Sequence, residues 1–118
     1  MELESTIIGL KLIEINKNID DIKLIFEDTN SNVAYLLTFK GYLFETGFVA
    51  LNKRVENARL RRILGFKAVT QLRYEGENPS DFKQLFIQME GSEDENKIEL
   101  ISVFKEYTLT SRTLAIMH

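Results

Sequence analysis

Alternation of apolar and polar residues constrains this chain more than any other feature. Ile22, Leu24 and Phe26 alternate with Lys23, Ile25 and Glu27. After a polar stretch, Val33, Tyr35, Leu37 and Phe39 alternate again. A period of two puts each set on one face of an extended strand, so the pair reads as a β-hairpin with one buried face. Such a pattern fixes the kind of protein and says little about its chemistry.

The rest of the chain extends this plan. With 118 residues there is room for a single domain, residues 1–118, and a chain of this size buries about two-thirds of its unfolded surface. The hydrophobic share of 44% and charged share of 28% argue against disorder. Residues 7–15 read as a first strand, 19–27 as a second and 33–39 as a third. Asn16-Lys17-Asn18 and Asp28-Thr29-Asn30-Ser31-Asn32 supply the turn chemistry between them. These strands form a first antiparallel β-meander within residues 1–44.

Phe44, Phe48, Leu51, Val55 and Ala58 recur at spacings of four, three, four and three. That is one stripe of an α-helix, expected over residues 48–64. Gly65 would be its left-handed cap, and Arg61 and Arg62 would complement the helix dipole. A second meander is expected over residues 66–110, with strands at 66–74, 82–90 and 97–108, followed by a tail at 111–118. Residues 82–90 fit either periodicity: Phe82, Leu85, Phe86 and Met89 have helical spacing, while Lys83, Leu85, Ile87 and Met89 alternate. The strand-rich context favours the strand. The expected fold is α+β: two antiparallel three-stranded β-meanders separated by one α-helix, in a curved sheet or half-barrel packed on that helix. A faint echo links Phe39-Lys40-Gly41-Tyr42-Leu43 with Phe104-Lys105-Glu106-Tyr107-Thr108.

Composition excludes several chemistries. The chain has no cysteine, which removes disulfides, thiol nucleophiles and thiolate metal sites. No apolar run reaches the ~20 residues of a membrane span, and no signal-peptide pattern opens the chain. The expectation is a cytoplasmic protein without a membrane partner. A net charge of −3 disfavours general nucleic-acid binding. Abundant Ile, Lys and Asn point to an AT-rich source, bacterial or phage.

Possible sites are few. Asp28, Asn30 and Asn32 open like a calcium loop, but Val33 and Phe39 stand where that loop needs Gly and Glu. A hairpin turn is the better reading. Lys53, Arg54, Arg59, Arg61, Arg62 and Lys67 are the one basic cluster. On a helix, Arg54 and Arg61 would share a face with Asn57, while Arg59 and Arg62 would point elsewhere. Glu93, Asp94 and Glu95 crowd an acidic loop. Leu114 and Ile116 make the tail apolar, and an exposed apolar strand suits pairing with a sheet edge. Phe39, Tyr42, Phe44, Phe48 and Phe66 bracket the expected helix and would either pack the core or line a pocket. His118, the only histidine, is the last residue. No catalytic, cofactor-binding or metal-binding set is assembled.

The function expected on these grounds is a small non-enzymatic protein-binding module, of accessory, inhibitor or immunity type, with no cofactor. It would act through sheet edges and charged loops, with Arg54, Arg61, Glu93, Asp94, Glu95, Leu114 and Ile116 as contact residues. One alternative is a self-assembling structural subunit of a phage or secretion assembly. Another is a small-ligand binder or carboxylate-dependent enzyme using a helix–sheet cleft.

Overall fold

The computed structural model describes residues 2–41, 44–48, 51–91 and 99–113. It is a mostly-sheet α+β fold. The elements in chain order are α1 (Leu3–Ile7), β1 (Lys11–Lys17), β2 (Asp21–Asp28), β3 (Val33–Lys40), β4 (Phe44–Phe48), β5 (Lys53–Arg61), α2 (Phe66–Tyr74), β6 (Lys83–Met89), β7 (Glu99–Phe104) and β8 (Glu106–Thr113). A single 3-10 turn, Pro79–Asp81, precedes β6.

The hairpin read from alternation is present. Ile22, Leu24 and Phe26 of β2 are fully buried, and β2 pairs with β3 in unbroken register from Asp21↔Lys40 to Asp28↔Val33. The first turn is closed by the Asn18 N–H, which donates to the Asp21 carbonyl at 2.9 Å. In the second turn the Asn30 N–H donates to Asp28 Oδ1 at 3.0 Å, and Asn32 takes a left-handed φ of 57°. Asn tolerates that backbone region better than other residues with a Cβ.

The helix expected over residues 48–64 is absent; β5 occupies its centre. Its apparent stripe breaks into three unrelated parts. Phe44 and Phe48 belong to strand β4. Leu51 is exposed in the turn before β5. Val55 and Ala58 both point inward because the β5–β6 register shifts between Val55 and Asn57. A bulge inserts one extra residue, so two inward positions stand three apart and imitate a helical interval.

The helix lies instead at 66–74, where a strand is expected. Ala68 and Leu72, one turn apart, are its buried face, packing with Phe82 and Val103. Gly65 is its N-cap, not the C-cap of a preceding helix. The true stop is Gly76, with φ of 77°. There the Gly76 N–H donates to the Arg73 carbonyl and the Glu77 N–H to the Leu72 carbonyl, at 3.1 and 2.8 Å. That pair of bonds is a Schellman closure. Residues 82–90 contain strand β6, with Leu85, Ile87 and Met89 buried. The single strand expected over 97–108 is two, broken at Lys105. Residues 7–15, expected as a strand, hold the end of α1 and most of β1.

The strands form one open antiparallel sheet in the order β4-β7-β6-β5-β1-β2-β3-β8. Two chain links join opposite ends of that order. β3 runs into β4 across residues 41–43, and β7 runs into β8 across Lys105 alone. The β3–β8 ladder ends at Lys40↔Glu106 and the β4–β7 ladder begins at Phe44↔Val103. The sheet therefore curls back on itself, and its two end pairs are halves of one bent ladder. At the bend Phe39 stacks on Phe104 with centroids 4.3 Å apart, and the Lys105 N–H donates to the Lys40 carbonyl at 3.1 Å. Phe39, Lys40 and Gly41 of one echoing segment thus meet Phe104 and Lys105 of the other at this corner.

Curling encloses one core. It gathers Leu12, Leu24, Phe26, Leu37, Phe39, Val55, Leu85, Ile87 and Phe104 from both halves of the sheet. Leu3 and Ile7 of α1, four residues apart, are buried within it. The Gly9 N–H donates to the Val55 carbonyl and the Val55 N–H to the Leu10 carbonyl, both at 2.8 Å, which fastens α1 to β5.

Gly41 turns the corner with φ of 63°, and a Cβ there would stand 2.9 Å from Lys105 Cβ. Gly41→Ala is expected to destabilise the fold by about 1–2 kcal/mol, because strain and clash add. Thermal melting by circular dichroism would read this as a loss of several degrees, and an unchanged midpoint would refute the corner geometry.

Candidate functional site

The outward face of β5 carries charge. The bulge that sends Val55 and Ala58 inward leaves Asn57, Arg59 and Arg61 facing out. Arg59 therefore stands on the same face as Arg61, contrary to the helical reading, which pointed it elsewhere. Across the ladder Arg59 faces Phe86 and Arg61 faces Gln84 of β6. The chain then turns through Arg62, Ile63, Leu64 and Gly65 into α2. This turn is held by Gln84, whose Oε1 accepts the Gly65 N–H at 3.2 Å.

Between strand and helix lies a shallow hollow of ≈ 580 Å³, lined by Arg61, Arg62, Ile63, Leu64, Gly65 and Gln84. The hollow and the residues that flank it on β5 and at the start of α2 are unusual in two respects. Ile63 is 86% exposed and Phe66 is 85% exposed, far from the burial such side chains normally reach. Among the described residues, Arg59, Arg61, Arg62 and Lys67 make no ion pair. The shoulder thus combines uncompensated positive charge with uncovered apolar surface. Residue spacing on α2 explains the second property: packing Ala68 and Leu72 inward turns Phe66 and Tyr74 to solvent.

The end of α2 is tied to the corner. Lys105 Nζ lies 3.6 Å from Glu77 Oε2 and 5.4 Å from the centroid of the Phe82 ring. An exposed ion pair of this kind contributes little by itself, and the ammonium–ring contact adds a modest attraction.

Of the contact residues expected from sequence, Arg61 lines the hollow. Arg54 is at the far end of β5, about 20 Å away at strand rise. Its Nη1 donates to the Gly9 carbonyl at 3.2 Å, and its own N–H donates to Glu90 Oε1 at 3.1 Å. Arg54 therefore braces the α1–β1 junction against β5. Glu93, Asp94, Glu95, Leu114 and Ile116 lie outside the described residues. The aromatic set expected around a helix is not gathered: Phe39 is in the core and Phe66 is on the surface. Sequence reasoning missed Ile63 and Gln84 as site residues, set Arg59 off the face of Arg61 and placed Phe66 in an aromatic bracket, because a helix assigned to residues 48–64 and a strand assigned to 66–74 hid the strand-to-helix turn that joins them.

Two further polar groups bear on chemistry. Ser102 is buried between Leu100 and Phe104, and its Oγ has no hydrogen-bond partner. The Asp28 carboxyl is held below its usual value by the Ser31 side-chain hydrogen bond, the Asn30 N–H, and more weakly Arg54. Its oxygens serve the hairpin turn. Among the described residues no group of three carboxylates or imidazoles could hold a metal ion, and no helix is long and apolar enough to cross a membrane.

Comparison of the chain with known protein families, curated proteins and solved structures yields no match. The site is therefore interpreted from its own geometry.

Arg54→Ala is expected to lower stability by about 1 kcal/mol through its lost hydrogen bond, while Arg61→Ala stays within about 0.5 kcal/mol of the parent. Denaturant titration of the two variants separates the roles; equal losses would contradict them. Because the folded Asp28 pKa is depressed, its contribution is full above the usual 3.8 and is lost as pH falls below it. The stability gap between parent and Asp28→Asn should therefore shrink on acidification, and a gap constant with pH would refute that assignment.

Proposed function

We propose that this chain is a small non-enzymatic protein-binding module, of accessory, inhibitor or immunity type. It engages an acidic protein surface through the shoulder between β5 and α2. The curled sheet acts as a half-barrel scaffold that holds the shoulder rigid, with sheet edges and charged loops as outer contacts.

One observation carries this reading: Arg61 and Arg62, which make no ion pair among the described residues, line the same hollow as exposed Ile63, with Arg59 on the strand face of Arg61 and exposed Phe66 directly after Gly65 of the lining. Arginine and aromatic residues are enriched at protein interfaces. Solvent-exposed Ile and Phe in neighbouring positions mark surfaces that are covered in use. Isolated positive charge would suit any polyanion, but the aliphatic Ile63 and the overall charge of −3 favour a protein over a nucleic acid. Carboxylates of the partner would pair with the guanidinium groups, and an apolar side chain would cover Ile63 and Phe66.

The test is capture of the tagged chain from its source lysate, beside the Arg59→Glu/Arg61→Glu/Arg62→Glu variant. Eluates are read by mass spectrometry and for nucleic acid. The expected result is a stoichiometric protein partner that the variant loses while its melting curve is unchanged, with binding that weakens as salt rises. Equal retention by the variant, or nucleic acid in place of protein, would overturn the proposal.

A further inference from the structure

The edge strand β8 carries a second and independent signal. It pairs with β3 over all eight of its residues, from Lys40↔Glu106 to Val33↔Thr113, with no register shift. Among the described residues it has no ladder partner on its other side. Exposed edges are normally guarded by a bulge, a proline, an inward charge, a lysine or simple shortness. β8, with the sequence Glu-Tyr-Thr-Leu-Thr-Ser-Arg-Thr, has none of these; its two charges, Glu106 and Arg112, stand near its ends on the solvent-facing side and leave the centre uncharged. The opposite edge strand, β4, is five residues long and contains Gly47.

The core is also unfinished at this margin. Tyr107 and Leu109 pack against it yet remain half exposed, as does Tyr35 on β3 beside them. Glu106, Thr108, Thr110 and Arg112 lie on the other, solvent-facing side.

We infer that this edge is a self-association surface, on which a second copy of the chain adds its own β8 antiparallel about a twofold axis at Leu109. The sequence of β8 is complementary to itself in that register. With Leu109 opposite Leu109 of the second copy, Glu106 falls opposite Arg112, Thr108 opposite Thr110, and Tyr107 opposite Ser111. Opposite-charge and Thr–Thr pairs are among the favourable cross-strand neighbours. Each charge pair occurs twice because the interface is isologous. Sliding by two residues either way sets Glu106 opposite Thr110 or Arg112 opposite Thr108, and both charge pairs are lost. The half-exposed Tyr107 and Leu109 of the two copies would then form one continuous apolar strip.

Sedimentation velocity on the full chain over a concentration series tests this. A monomer–dimer equilibrium is expected. Glu106→Arg and Arg112→Glu should each weaken it about tenfold or more, by facing like charges. The double variant E106R/R112E should restore it. Arg112 faces Ala34 within its own chain, whereas Glu106 faces Lys40, so R112E is the cleaner single change. A monomer at every soluble concentration would overturn the proposal. Dimerisation indifferent to both single changes, or not restored in the double variant, would overturn this register. The Arg59/Arg61/Arg62 variant should dimerise as the parent does, so failure of the shoulder reading and failure of this one are distinguishable.

Discussion

The stacking of Phe39 on Phe104 is the contact on which the rest of the architecture depends. These rings come from strands near opposite ends of the sheet order, and their contact holds the curl closed. Tyr107 meets Phe104 edge-on, with centroids 6.1 Å apart, so the cluster spans both sides of the bend. Offset and edge-on ring pairs add to the area that each ring buries. The backbone can reach this arrangement because Gly41 adopts a positive φ and because Lys105 supplies a single-residue break between β7 and β8. Without the bend, two flat half-sheets would each expose an apolar face. With it, Leu24, Phe26, Leu85 and Ile87 share one interior.

Positions of the two surface features follow from that curl. Lys105 sits at the bend and reaches Glu77 and Phe82, beside the end of α2. Val103, facing out from β7, gives Ala68 and Leu72 something to pack on. Helix α2 is thereby fixed on the outside of the sheet, and the residues on its far side have nothing to cover them. At the opposite margin, β8 inherits its place from the same corner, since it starts one residue after β7 ends. The open edge and the basic shoulder are therefore separate surfaces set by one turn of the chain.

Legibility in the sequence varied with the length scale of the interaction. β2 and β3 were readable because a hairpin with a short polar turn satisfies its ladder locally, and one buried face imposes a strict two-residue period. β5 was misread because a bulge alters the period from within the strand, and the register shift that reveals it belongs to the partner strand β6. The helix at 66–74 was read as a strand because Phe66, Val69 and Tyr74 are strand-favouring residues. Its Ala68–Leu72 pair becomes meaningful only once Val103 is known to lie opposite. For the site, Arg61 was identified from its type and from a helical face with Arg54 that the strand β5 does not have. Its association with Ile63, Phe66 and Gln84 depends on the strand-to-helix turn, which the misassigned elements concealed.

By itself the sequence determined that the fold is β-rich and of the α+β class, where the first hairpin lies, and which chemistries its composition removes. Those properties depend on side-chain type and on spacings of a few residues. Tertiary structure alone decided the curl of the sheet, the element types of residues 53–61 and 66–74, and the meeting of arginines with exposed apolar residues at the shoulder. Each of these turns on pairings between residues far apart in the chain, such as Phe39 with Phe104 or Arg61 with Gln84. Local propensity is a weak force of tenths of a kcal/mol to about 1 kcal/mol per residue, and burial against a distant partner overrides it.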